Sequence, residues 1–571
     1  MTDYYANPST MTLLYSLKKH LALPKTSWQI CLLAAIGGVA SAGLIILFTA
    51  SIDFIQQWYL PQKEDYTSLD AVSRFDLPII GALLILLFAK LTGYKYLRTG
   101  IPFVLHRLKV AHGVIPLRNT LNQFVGSVLA LASGFSVGRE GPAVHLGAAC
   151  SSFIGSFLKL PHNAIRTLCA CGIAAGISAS FNTPLAAVIF VMEVIMREYK
   201  VHVFIPVMIA SIVGSLITSH TYGPAHKFEY FNKITIVVGD YPLLIMLGIL
   251  LGILAFAFNR YLTLIIKHSS QFHIISRFLF AALITGALGA AVPHAMGTDL
   301  TAIAFAIDGN VHYQLLLGLL LAKLIMTIVA LGLGVPGGII GPILSIGAIG
   351  GVSAAAIANH FFLQDTLITD YALMGMAGFM AATLNAPLAA LIAVVELSNQ
   401  LEIIIPAMIV ITTASLTSGQ FFNNRSILVM QLEIQGLIYR HPPIEKSLLR
   451  IGAMGIMQEN FRLLDPEHLS NNTNFLNVST NNELLIVKES SPSPSFTLLQ
   501  PIQAALNDTP PIIKQQKLIP LSYQATLAEA YALLKDTRDG GVYLYDGAED
   551  NIIGVLMFVQ IRRYLIEGKA N

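Results

Sequence analysis

Two short turns hold the residues best suited to chemistry. Gly138-Arg139-Glu140-Gly141-Pro142 and Val335-Pro336-Gly337-Gly338-Ile339-Ile340-Gly341-Pro342 each set glycines before a proline, and each leads into an apolar run. Proline suits the first turn of a helix, where its missing N–H would have no partner. Glycine lets backbone approach a ligand closely. The free N–H groups of a first turn, with the positive end of the helix dipole, bind an anion. Partial charges also release an ion that a buried Lys or Arg would hold too tightly. Glu140 adds a proton-accepting group. A carboxylate in an apolar segment is costly when ionised and unpaired. At a helix N-terminus it is stabilised as an anion, so it can take the ion's place when charged and leave when protonated. One side chain would then serve as a pH-sensitive gate or a proton carrier. The plainer alternative is that Glu140 only caps its helix or pairs with Arg139.

Arg139 reads as structural, paired with a carboxylate. His145, about one and a half turns beyond Glu140, reads as a satisfied core residue. Glu193 and Glu396 end their apolar runs at equivalent places and read as structural acceptors of nearby hydrogen bonds.

The elements that must carry these turns are broken. Apolar segments at Phe124–Val137, Ala143–Leu160, Cys169–Phe181, Pro184–Val194, Gly337–Ala356, Tyr371–Leu384 and Pro387–Leu397 are short and cut by Gly or Pro. Half-length helices survive in a bilayer only where protein buries their ends or where they line a cavity. The chain also repeats itself. Phe181-Asn-Thr-Pro-Leu-Ala-Ala-Val-Ile-Phe-Val-Met-Glu193 matches Leu384-Asn-Ala-Pro-Leu-Ala-Ala-Leu-Ile-Ala-Val-Val-Glu396 at a shift of 203, and Gly141–Gly147 matches Gly341–Gly347 at a shift of 200. Two related halves with interrupted helices point to a binding site at their interface. The residues alone leave open whether the halves run parallel or inverted.

Composition agrees. Of 571 residues, 54% are hydrophobic and 12% charged, about half the charge of an ordinary soluble domain. Trp28–Phe54 and Leu77–Phe88 read as membrane helices. A net charge of +3 argues against nucleic acid as a partner and leaves membrane lipid. Lys18, Lys19, His20 and Lys25 before the first apolar run favour a cytoplasmic N-terminus. Cys31, Cys150, Cys169 and Cys171 sit in apolar segments without ligand-spaced neighbours, so no metal is expected. The expected organisation is a cytoplasmic N-terminal segment over 1–24, a transmembrane domain over 25–432 with halves at about 28–220 and 241–428, and a small α/β cytoplasmic domain over 433–571. Within the last, Ser490-Ser491-Pro492-Ser493-Pro494-Ser495 reads as a loop. Thr526-Leu-Ala-Glu529 is a capping box opening a helix to about Lys535. Gly541–Tyr545 and Asn551–Leu556 read as strands, and about 558–565 as a closing helix.

The turns resemble the filter signatures of the CLC family of chloride channels and chloride/proton exchangers: Gly-Ser-Gly-Ile-Pro, Gly-Arg-Glu-Gly-Pro and Gly-Gly-Ile-Phe-Ala-Pro. Here they stand as Arg98-Thr99-Gly100-Ile101-Pro102, Gly138–Pro142 intact, and Gly337–Pro342. The resemblance covers most of the apolar region. It implies an all-α polytopic fold of two inverted repeats of broken helices, and a homodimer in the inner membrane with both termini cytoplasmic. It makes Glu140 the gating, proton-accepting group. It places chloride or a related small anion among Thr99, Gly100, Ile101, Gly138, Arg139, Gly141, Gly338, Ile339, Ile340 and the position of Leu428, with Ile339 and Ile340 acting through backbone amides. The tail resembles a CBS domain, its first copy at about 447–510 barely recognisable. Met557 and Gln560 stand where nucleotide-binding copies carry a hydroxyl and an Asp, which argues against a nucleotide cofactor.

Two departures bear on mechanism. Exchangers of the family often carry an inner glutamate directly after the position of Glu193; here it is Val194. The tyrosine hydroxyl of the central site is replaced at Leu428. A proton path needs an acceptor near each end, so these residues favour a passive, Glu140-gated channel, with a chloride/proton antiporter as the alternative. A cation symporter would want carboxylates and carbonyls around its ion. A membrane enzyme would want a nucleophile with its base, and no such motif stands out.

Overall fold

Apolar runs in lipid must satisfy their own backbone, and do so as helices. The computed structural model describes residues 13–93, 100–223, 236, 238–307, 312–362, 368–437, 443–464, 483–489, 495–502 and 512–567. The first half of the chain forms α1 (Leu13–Ala22), α2 (Trp28–Gln56), α3 (Ala71–Leu91), α4 (Gly100–Val110), α5 (Leu117–Ala132), α6 (Glu140–Phe157), α7 (His162–Phe181), α8 (Pro184–Phe190, extended by a π turn over Val191–Met196) and α9 (Val201–Tyr222). The second half forms α10 (Tyr241–Ser269), α11 (Ile274–Ala291), α12 (Asp299–Ile307), α13 (Tyr313–Leu333), α14 (Ile340–Phe362), α15 (Ile368–Leu384), α16 (Pro387–Ser398), α17 (Ile404–Leu416) and α18 (Ile427–Ile434). Among the described residues, nine helices are long and apolar enough to cross a membrane. The chain is a multi-pass membrane protein of two inverted halves. Pro184–Met196, Ile368–Leu384 and Pro387–Ser398 stay short, as their Gly and Pro boundaries suggest. The apolar run at Cys169–Phe181 is instead the end of a 20-residue helix. Its first turns carry His162, Asn163 and Arg166, which break apolarity without breaking a helix.

The halves are built alike. In the first, α6 packs on α7 so closely that a Cβ added at Gly147 would lie 2.2 Å from the Gly172 carbonyl oxygen. In the second, a Cβ at Gly351 of α14 would lie 1.9 Å from the Tyr371 oxygen of α15. Helices in lipid gain cohesion from such backbone approach.

The chain folds as two compact units: Cys31–Ile154 with Arg166–Ile438, and Met1–Ile30 with Gly155–Ile165 and Tyr439–Asn571. The second unit holds α19 (Pro443–Leu448), a four-stranded sheet of β1 (Phe461–Leu464), β2 (Leu484–Glu489), β3 (Ser495–Ile502) and β4 (Ile512–Lys517), and a three-stranded sheet. The latter comprises β5 (Ile519–Ser522), β6 (Gly541–Tyr545) and β7 (Ile552–Met557), with α20 (Leu527–Leu534) and α21 (Phe558–Glu567). In each sheet a parallel pair is followed by an antiparallel strand. The Thr526–Glu529 capping box is formed. Gln560 Oε1 accepts from Met557 N–H at 2.7 Å, a cap at the start of α21. Residues 490–494 of the expected Ser/Pro loop lie outside the described residues. The N-terminal helix belongs to this unit. Buried Lys18 donates to the Tyr523 hydroxyl at 2.9 Å, and that hydroxyl donates to the Lys159 carbonyl at 2.9 Å. Gly452 N–H reaches the Ala22 carbonyl at 2.8 Å.

Candidate anion site

The two Gly-Pro turns meet. Gly138 and Gly338 form an isolated antiparallel bridge, N–H to O distances 2.8 and 2.7 Å, so a local two-fold relates the starts of α6 and α14. Glu140 is the first residue of α6 and Ile340 the first of α14; Pro142 and Pro342 sit equivalently in the first turns. The Glu140 side chain, 3% exposed, crosses this axis. Its Oε2 accepts from Gly341 N–H at 3.0 Å. A carboxylate oxygen therefore rests on the free N–H groups that open α14, where an anion would bind. Only glycine fits around it: a Cβ at Gly138 would lie 2.0 Å from Glu140 Oε2, and at Gly338 2.9 Å.

Beside the turns lies a cavity of about 150 Å³. Of the residues predicted from sequence, it brings together Gly100, Ile101, Gly141, Gly338, Ile339 and Leu428. Ile340 is buried at the head of α14. Thr99 lies outside the described residues. Arg139 turns away and pairs with Glu64, whose other oxygen accepts from Thr298. The guanidinium is thus structural, as its neighbours suggest.

The supporting residues are not visible in sequence. Gly100 takes φ +75°, and its N–H donates to Gln123 Oε1 at 2.6 Å, with Gln123 Nε2 held by Ser127 at 2.6 Å. Arg277 lines the cavity, its Nε donating to the Leu333 carbonyl at 3.1 Å. Its one signal is that of a lone basic residue in an apolar run. Asn259 Nδ2 reaches the carbonyls of Thr383 (3.1 Å) and Arg425 (3.2 Å), fixing the segment that leads to Leu428. Gln431 and exposed Gln435 line the mouth.

Glu193 and Glu396 exchange partners across the halves. Glu193 accepts from Leu388 and Ala389 N–H of α16 at 3.2 and 2.6 Å; Glu396 accepts from Leu185 and Ala186 N–H of α8 at 3.0 and 2.7 Å. Both carboxylates cap helix N-termini. Val194 is buried in the π turn. His145 differs from expectation: it is fully buried, yet neither ring nitrogen has a hydrogen-bond partner among the described residues. Its ring stacks on Phe103 instead, centroids 5.3 Å apart and planes within 8°, so packing rather than polar satisfaction fills its surroundings.

Comparison with known proteins places these features. The family model described as voltage gated chloride channel matches residues 80–419. The H(+)/Cl(−) exchange transporter ClcA of Yersinia pestis bv. Antiqua (strain Angola) is 30% identical over 462 residues, covering 75% of this chain and 94% of the transporter. A slow cyanobacterial Cl−/H+ antiporter superposes with TM-score 0.61 at 22% identity, covering 72% of this chain and 98% of that one. A eukaryotic CLC transporter superposes with TM-score 0.58 at 17% identity, covering 96% and 99%. At these identities the superpositions establish the fold.

Proposed function

The chain belongs to the voltage gated chloride channel family, a family of anion transporters, and on that premise we propose that it exchanges chloride for protons across a membrane. The observation that carries this reading is the Glu140 carboxylate resting on Gly341 N–H between the two half-helices. An ionised Glu140 competes with chloride for the N-terminus of α14. Protonation removes its charge, weakens that bond and frees the position for an anion. The anion and the ionised carboxylate are then alternatives at one place, so anion entry requires proton uptake by Glu140, which is the elementary coupling an exchanger needs. The relatives named as exchangers favour this over the passive channel suggested by Val194 and Leu428.

In this reading the anion lies among Gly100, Ile101, Gly141 and Gly338, held by the amides of Ile339 and Ile340, with Thr99 and the backbone of Gly138 and Arg139 completing the surroundings. Leu428 supplies an apolar wall. We extend the proposal to a homodimer with both termini cytoplasmic. Apolar side chains exposed on α8, α9, α16 and α17, such as Leu185, Leu216, Leu388 and Ile405, suit a second copy.

The test is chloride efflux from liposomes containing the purified protein, with external pH recorded together. Proton uptake that tracks chloride loss, and uphill proton movement driven by a chloride gradient, are expected. Chloride efflux with no linked proton movement would return the assignment to a channel.

A further inference from the structure

An exchanger needs a second proton acceptor, and the position next to Glu193 is the apolar Val194. His145 has the properties that position lacks. It is fully buried, and both ring nitrogens are without a hydrogen-bond partner among the described residues. Burying an unpaired imidazole costs free energy, and an ionisable side chain at such a place in a membrane helix calls for a function. Its location supplies one. His145 is four residues beyond Gly141, hence one turn along the same face of α6, and Gly141 lines the cavity. Phe103, stacked on the imidazole at 5.3 Å, lines that cavity as well. One aromatic ring therefore separates an unpaired imidazole from the space beside Glu140.

We propose that His145 is the second proton acceptor of the exchange cycle, reached from the cavity when the Phe103 ring swings aside; this rests on the exchange reading above. Glu140 gives up one proton and becomes a carboxylate. Water in the cavity passes that proton to the unprotonated nitrogen of His145, forming imidazolium. The imidazolium then releases one proton to water at the mouth near Gln431 and Gln435. One proton enters and one leaves.

The elements packed on α6 supply little to hold the charged state. Helix α4 carries His106, Arg107 and Lys109; α7 carries His162, Arg166, Cys169 and Cys171; α2 carries Cys31 and Asp53; α14 carries His360. Asp53 is paired with Lys63 at 2.5 Å. Among the described residues of these elements, the remaining carboxylate is Glu140 itself. The imidazolium is thus favoured only while Glu140 is ionised, which ties the two protonations together.

The experiment measures H+ and Cl− fluxes together, and the reversal potential, for wild type, His145→Gln, His145→Asn and His145→Glu in liposomes. The expected result is chloride efflux that persists in His145→Gln while the H+/Cl− ratio falls at least tenfold, with coupling partly restored in His145→Glu. A wild-type ratio in His145→Gln or His145→Asn overturns the assignment while leaving exchange intact. Loss of both fluxes in folded, monodisperse Gln and Asn variants marks a packing role and also overturns it. A wild-type protein that moves chloride without protons fails the exchange reading, and this proposal with it.

Discussion

At the residue scale, the site depends on one carboxylate and the glycines around it. Glu140→Gln keeps the shape and removes the titratable proton, so proton flux should vanish while chloride flux loses its dependence on pH. A pH series of efflux rates in liposomes checks this. Gly338→Ala should do more harm than its size suggests, because its methyl would enter the space of Glu140 Oε2 and the Gly141 amide. A chloride flux at least tenfold below wild type is expected, read in the same assay. These residues are legible in sequence because Gly, Pro and Glu in a tight turn admit few other readings. Gln123, Asn259 and Arg277 are not, since each reaches the site by tertiary packing from a helix whose own pattern is ordinary. The state of His145 is hidden for a related reason: spacing shows that a histidine is buried, not whether its nitrogens find partners.

At the element scale, the broken helices are held by donors and acceptors from the opposite half. Glu396→Ala would leave the N–H groups of Leu185 and Ala186 uncapped. Thermal unfolding in detergent should show a loss of about 1–2 kcal/mol. The double variant with Glu193→Ala should be close to additive, because the two caps share no atoms. Gly351→Ala forces α14 and α15 apart and should cost about 1–3 kcal/mol, visible as a smaller monodisperse fraction in size-exclusion chromatography. The repeat marks Glu193 and Glu396 as equivalent, but their exchange of partners joins residues roughly 200 positions apart. No local pattern reports such a pairing. The length of α7 is likewise hidden, because apolarity tracks lipid and packing while helicity tolerates His162 and Arg166.

At the scale of the whole molecule, the unit that ends the chain is assembled from three separate stretches. Tyr523 links them through Lys18 and the Lys159 carbonyl. Tyr523→Phe would strand a buried ammonium, so α1 should loosen. Limited proteolysis near Lys18 and Lys19 should quicken several-fold in the variant with the membrane helices uncut. The tail's second half is readable from its capping box and alternating strands. The recruitment of α1 and 155–165 is not, because both are short, mixed in character and declare no partner.

That three-part assembly imposes an order on biosynthesis. The N-terminal helix and the 155–165 segment leave the ribosome early, yet their partners at Tyr523 and Gln524 follow 505 and 364 residues later, respectively. At about 5–20 residues per second the waits are about 25–100 s and about 20–70 s. Throughout the longer wait Leu21 and Ala22, buried in the finished protein, stand uncovered. The stretch around Tyr523 and Gln524 thus acts as a seal, and a chain truncated before it leaves Leu13–Ala22 open to chaperones and proteases.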